Sequence, residues 1–122
     1  VERDSIDPVT FPGTPTVPIG DVPAELSADA VLLDVREPDE WEQGHAPGAV
    51  HIPMADVPSR VGDLNMDADM YVICRQGGRS ARVVDYLNQI GFEAVNVDGG
   101  MVAWQMAGRP LVADGEHEAT IF

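Results

Sequence analysis

Val31–Val35, Met70–Ile73 and Ala94–Val97 are short extended runs, each bounded by charged, glycine or turn residues. They are too short for buried helices and suit buried strands. Helical signals lie between and after them. Pro38–Gln43 opens with acidic residues, which complement the positive end of a helix dipole. Ala55–Leu64 is read as a short helix. Arg79–Ile90 carries the clearest helical pattern: Val83, Val84, Leu87 and Ile90 fall at helical spacing, and Gly91 follows as a cap. Met101–Ala107 is a helix that starts after Gly99 and Gly100 and stops at Gly108 and Pro110. Ala49–Ile52 is a further extended piece, closed by Pro53. Strands alternating with helices predict an α/β domain with a largely parallel sheet.

The two ends read differently. Pro8, Pro12, Pro15 and Pro18 fix φ and remove backbone donors. Residues 1–14 are therefore expected to form an extended arm. Val17–Ile19 is expected as a short edge strand, and Asp21 as the cap of a helical turn over Pro23–Leu26. Residues 111–122 are expected to be a loosely held acidic tail. The domain itself is placed at residues 15–110, with no internal repeat.

Length and charge narrow the function. A chain of 122 residues, 44% of them hydrophobic, can bury one small core. The 21 acidic residues outnumber the 7 basic ones, all arginine, for a formal net charge of −14. Such a surface repels phosphate backbones and anionic membranes, so no nucleic-acid or membrane partner is expected. No apolar run approaches the roughly 18 residues of a membrane span. The N-terminus shows no basic-then-apolar leader pattern. The expectation is a soluble, cytoplasmic protein. One cysteine excludes an intrachain disulfide and a cysteine-rich zinc site. His45 and His51 match no common zinc spacing, so neither a metal nor a cofactor is expected.

The stretch richest in chemistry is Tyr71-Val72-Ile73-Cys74-Arg75-Gln76-Gly77-Gly78-Arg79-Ser80. A buried strand runs into a glycine-containing loop, and the loop runs into a helix. Sites in open α/β sheets form beyond the carboxyl ends of strands, where Cys74 sits. Gly77 and Gly78 tolerate positive φ and let the loop curl, so successive backbone N–H groups can point at one spot. The next helix adds its positive end. Thiols at helix N-termini or beside cations ionise more readily than free ones. Arg75, Arg79 and Arg82 supply cations, and no acid interrupts Cys74–Ser80, so the local charge is positive within an acidic chain. Arg75 and Arg79 can bind an anion through bidentate geometry. Ser80 either donates a hydrogen bond to the sulfur or caps the helix. Arg82 is read as a solvated residue. Trp41 and Trp104 are read as core anchors, and Met101 and Met106 as helix packing.

This loop resembles the active-site loop of the rhodanese family. Two flanking stretches strengthen the likeness. Leu33-Asp34-Val35-Arg36-Glu37, followed by Glu40-Trp41 and by Gly44 through Pro53, is similar to the family's upstream signature. Gly99-Gly100 followed by Trp104 is similar to its downstream one. The resemblance implies a parallel sheet of about five strands flanked by helices on both faces, with the cysteine loop cradling an anion. It also implies the reaction. Cys74 would attack the sulfane sulfur of a donor such as thiosulfate, hold it as a persulfide, and pass it to cyanide, a thiol or a partner protein. Arg75, Gln76, Gly77, Gly78, Arg79 and Ser80 would bind the small anionic donor, and Asp34 and Arg36 would organise the pocket rim. Phosphatases of the same fold carry Cys-x5-Arg, whereas Cys74 to Arg79 is Cys-x4-Arg, the sulfurtransferase size. Members that prefer thiosulfate often have a basic residue where this chain has Gln76, which tempers the assignment of thiosulfate as donor.

Three other readings stand beside this one. A sulfur-relay module would use the same residues and deliver sulfur to a protein, with the acidic surface docking a basic partner. A non-catalytic binding module is disfavoured by the intact Cys74 loop. A phosphatase or arsenate reductase is disfavoured by loop length, and the latter also by the lack of further thiols.

Overall fold

The computed structural model describes residues 13–121. Five parallel strands form one sheet: β1 (Thr16–Val17), β2 (Ala30–Asp34), β3 (Val50–His51), β4 (Asp69–Ile73) and β5 (Glu93–Val97), in the order β1-β5-β4-β2-β3. β4 lies at the centre, paired with β2 from Ala30↔Asp69 to Asp34↔Ile73 and with β5 on its other side. Parallel neighbours need crossover connections, and helices supply most of them. These are α1 (Pro38–Gln43), α2 (Val57–Arg60) and α3 (Gly78–Gln89); α4 (Gly100–Met106) follows the last strand.

Strand side chains alternate between faces. Leu33, Val35, Val72 and Cys74 face Val83, Val84 and Leu87 of α3 and Val57 of α2. Leu32, Ile73 and Val97 face Met101 and Trp104 of α4. The expected parallel sheet with helices on both faces is the observed fold. Among the described residues, no helix is long and apolar enough to cross a membrane.

Several local expectations are corrected. The turn of helix expected over Pro23–Leu26 is absent, and a 3-10 turn covers Ile19–Asp21 instead. Val22 precedes a proline, which disfavours helical geometry, and it is extended at φ −75° and ψ 127°. The helix expected over Ala55–Leu64 is broken into a 3-10 turn, the single turn of α2 and a second 3-10 turn. Met106 does not pack against its helix's neighbours; it is 83% exposed. Trp104 is a buried anchor whose indole N–H donates to the Pro110 carbonyl at 2.8 Å.

The two ends also differ from expectation. The proposed arm at residues 1–14 lies outside the described residues except for Gly13 and Thr14, and the Thr14 hydroxyl donates to Asp85 of α3 at 2.8 Å. The C-terminal segment is docked, not loose. His45 and Val112 exchange two backbone hydrogen bonds of 2.9 Å. The amides of Asp114 and Thr120 donate to the carbonyls of Glu42 and Gln43, and Ile121 packs on the α4-side core. The physical reason is that α1 has terminal carbonyls to satisfy and this segment brings the donors.

Candidate active site

Cys74 is the first residue after β4, and 1% of it is exposed. The chain leaves the strand, curls at Gly77 and enters α3 at Gly78. Gly77 has φ 116°, a conformation open to glycine and costly for other residues. Gly78 needs no such freedom, contrary to expectation, because it is already helical. The curl brings the Gly77 N–H to 3.1 Å from Cys74 Sγ, which accepts it. Ser80, fully buried, places its hydroxyl 3.2 Å from the same sulfur. Of the two roles left open for Ser80, the geometry therefore has it at the sulfur. It does not cap the helix.

The loop is held from behind by α4. The amide of Met101 donates to the Cys74 carbonyl at 2.8 Å, and that of Val102 to the Arg75 carbonyl at 3.1 Å. Two of the orphan donors at the α4 N-terminus thus fix the loop's first two carbonyls. Gly100 permits this approach. It has φ 58°, and a Cβ there would overlap the carbonyl groups of Cys74 and Arg75. The downstream Gly99-Gly100 motif is thereby explained as the seat of the cysteine loop.

A second support comes from β5. Asn96 is 1% exposed. Its Nδ2 donates to the Gly77 carbonyl at 3.2 Å, and its Oδ1 lies 2.5 Å from the Ser80 hydroxyl. Both residues that touch Cys74 Sγ are thus hydrogen-bonded to one buried side chain. Sequence reasoning passed over Asn96. Its signal was a polar residue between Val95 and Val97, at a buried position of the strand.

The charge pattern is less one-sided than expected. The Arg79 guanidinium forms a bidentate pair with Glu40 of α1, at 2.7 and 3.0 Å. Glu40 also accepts the Glu37 amide at 2.9 Å, as part of a capping box. Hydrogen bonding to Arg79 holds the Glu40 carboxyl below its ordinary value, against the opposing push of burial. The same bond raises Arg79, with the nearby Cys74 sulfur contributing weakly in the same direction. An acid from 39 residues upstream therefore meets the loop's second arginine. Gln76 and Arg82 are exposed, and Arg75 is half-buried.

Asp34 and Arg36 lie behind this pair. Both are essentially buried, at 0% and 1% exposure. Arg36 Nη2 donates to Asp34 Oδ2 at 2.8 Å and to the Gly44 carbonyl at 2.7 Å, while Nε reaches both Asp34 oxygens. The pair ties the end of β2 to the end of α1. Trp41 is half-buried, and its ring stacks on both His45 and His51, with centroids 3.6 and 4.6 Å away. Each histidine also bonds a carbonyl: His45 Nδ1 that of Trp41, and His51 Nε2 that of Arg36.

A groove of about 480 Å³ adjoins the loop, lined by Gln76, Gly78, Asp98, Val102 and Met106 among others. A larger one, about 690 Å³, opens beside Asp69, Met70, Glu93 and Ala94. It lies at the opposite end of β4 and β5 from Cys74, and the chemistry described above does not reach it.

The family follows from comparison with known proteins. The family model described as the rhodanese-like domain matches residues 20–107. The chain is 44% identical over 86 residues to YtwF of Bacillus subtilis (strain 168), whose name proposes a sulfurtransferase, covering 70% of this chain and 84% of that one. It is 41% identical over 86 residues to a sulfurtransferase of Allochromatium vinosum, covering 70% and 80%. Among solved structures, a thiosulfate sulfurtransferase from Pseudomonas aeruginosa aligns with a TM-score of 0.73 at 29% identity, over 84% of this chain and 21% of that one. The fold and the cysteine loop define a rhodanese-type α/β domain. The chain belongs to the rhodanese-like domain family, and its relatives support sulfurtransferase activity in general terms.

Proposed function

We propose that this protein is a sulfurtransferase that carries sulfane sulfur on Cys74. The Cys74 thiolate attacks the outer sulfur of a small donor. With thiosulfate, a new S–S bond forms at Sγ, the donor's own S–S bond breaks, and sulfite leaves with the electron pair. The resulting persulfide is attacked at its outer sulfur by cyanide, a thiol or a protein acceptor, which restores the thiolate. Each half is an ordinary displacement at sulfur.

The observation that carries this reading is the polar cradle around Cys74 Sγ. The Gly77 amide and the Ser80 hydroxyl lie within 3.1 and 3.2 Å, at the mouth of α3. The Gly77 N–H is a fixed dipole aimed at a sulfur that becomes anionic, and it stabilises that charge without reorganisation. Asp34 and Arg36 act as organisers of the pocket through the buried pair that joins β2 to α1.

Within the donor class, a persulfide suits the pocket better than thiosulfate. Arg79 is already matched by Glu40, and position 76 carries no charge. A dianion gains less there than it would from two unmatched cations.

The test is intact mass after brief exposure to thiosulfate or to a low-molecular-weight persulfide, for wild type and Cys74→Ser. The expected result is a gain of one sulfur atom, faster with the persulfide, reversed by cyanide and absent in the variant. No gain from either donor overturns the reading.

A further inference from the structure

We infer that Asn96 is a positioning residue that governs when Cys74 is ionised, by holding the single hydrogen of the Ser80 hydroxyl. The inference rests on the reading of Cys74 as the nucleophile, and the geometry leads to it in three steps.

Gly77 fixes the Asn96 amide first. The Gly77 carbonyl can only accept, so the atom of Asn96 that faces it at 3.2 Å must be Nδ2. The carbonyl oxygen Oδ1 must then face Ser80, and the two oxygens lie 2.5 Å apart. Two oxygens that close need a hydrogen between them. The Ser80 hydroxyl has the only one available, because Oδ1 carries none.

That hydrogen cannot serve two acceptors. Cys74 Sγ lies 3.2 Å from the same hydroxyl. With the hydrogen on Asn96, Ser80 turns its lone pairs toward the sulfur. This arrangement suits a thiol, whose S–H can donate to Ser80 Oγ, and it repels a thiolate.

Ionisation therefore requires a switch. The thiol proton leaves the site, the Ser80 hydroxyl rotates, and its hydrogen passes from Asn96 Oδ1 to the sulfur. Asn96 Oδ1 is then left without a donor in a residue only 1% exposed. An orphaned buried acceptor is costly, so Asn96 opposes the thiolate through Ser80 while its Nδ2 holds the Gly77 carbonyl. The charged groups around the sulfur are Arg79 with its partner Glu40, Arg75 in the loop, the Asp34–Arg36 pair behind, and Asp98 at the groove rim. None of them is altered by the variants below.

The test is the pH dependence of Cys74 alkylation by iodoacetamide, which needs no sulfur donor. A failure here is thus told apart from a failure of sulfur transfer. The expected result is that Asn96→Ala lowers the half-maximal pH by about one unit, a roughly tenfold gain in thiolate at fixed lower pH. In a Ser80→Ala background the same substitution should produce no fall. A merely structural Asn96 would loosen the loop and raise the midpoint whether or not Ser80 is present, and that result overturns the inference. Ser80→Ala alone gives an independent arm should Asn96→Ala not fold. Because the hydrogen is committed to Asn96, this variant should move the midpoint by less than about half a unit. A rise of a full unit would mean that Ser80 already serves the thiolate, and would overturn the inference.

Discussion

Arg79 and Glu40 meet fork to fork between α3 and α1, Nη1 to Oε1 at 2.7 Å and Nη2 to Oε2 at 3.0 Å. The pair fastens the start of α3, where the cysteine loop ends, to α1. Glu40→Gln should weaken that tie. At neutral pH the expected loss is about 1 kcal/mol, or roughly 4 °C in Tm. The sign of its pH dependence follows from Arg79 holding the Glu40 carboxyl low. Such a group stabilises fully above its unfolded value and loses that contribution as pH falls through the lower folded value. The Tm gap between wild type and variant should therefore be widest near neutrality and close below about pH 4. Thermal melts across that range check it. A gap constant with pH would show that the pair's charge does not matter.

The buried Asp34–Arg36 pair makes a larger prediction. Arg36→Met leaves Asp34, at 0% exposure, without its cation. Removing one partner of a buried pair typically costs about 3–5 kcal/mol. Joint replacement of Asp34 and Arg36 by apolar residues should cost less than the sum of the single changes, because no charge is stranded. Urea unfolding of the three variants measures both the single cost and the coupling.

Gly100→Ala tests how the loop is seated. The new Cβ would meet the Cys74 and Arg75 carbonyls, and φ is 58°. Gly108→Ala is the matched control: its φ is 74°, but the space around it is open. Both variants should pay a backbone penalty of about 1 kcal/mol or more. Only Gly100→Ala should also slow persulfide formation at Cys74, by at least about tenfold. Single-turnover mass measurements separate the two effects, and equal rates in both variants would remove α4 from the account of the site.

What was legible in the sequence was what is local. The strand over Met70–Ile73, the turn at Gly77 and the helix after it are contiguous, so their order and chemistry could be read directly. The observed limits of β4 and α3 differ from those expected by one residue. Glu40 and Asn96 were not legible as site residues. Glu40 sits 39 residues before its partner and looks like a first-turn helix acid; Asn96 looks like a blemish in a strand. Each acquires its role from a parallel sheet that brings the ends of β2, β4 and β5 together. The charge read from Cys74–Ser80 alone was incomplete for the same reason: the acid that pairs with Arg79 comes from another helix. The C-terminal segment misled because its composition is polar, while its contacts are made by backbone amides, which composition does not report.

That segment carries the last prediction. α1 is only six residues long and buries none of them fully. A helix so short depends on having its terminal carbonyls satisfied. Asp114 and Thr120 amides meet those of Glu42 and Gln43, at 3.2 and 3.0 Å, and the Gly44 amide returns to Glu40. α1 in turn presents Glu40 to Arg79. Ending the chain after Ala113 removes both tail amides and the packing of Ile121, but spares the Val112 bridge to His45. The expected outcome is a lower Tm together with faster hydrogen exchange at the amides of Trp41 and Gly44, which α1 protects. Exchange at β4 should stay slow, since its hydrogen bonds to β2 and β5 are untouched. Exchange that quickens evenly across β4 and α1 would mean that the segment supports the whole domain. Unchanged exchange at α1 would mean that the helix holds itself.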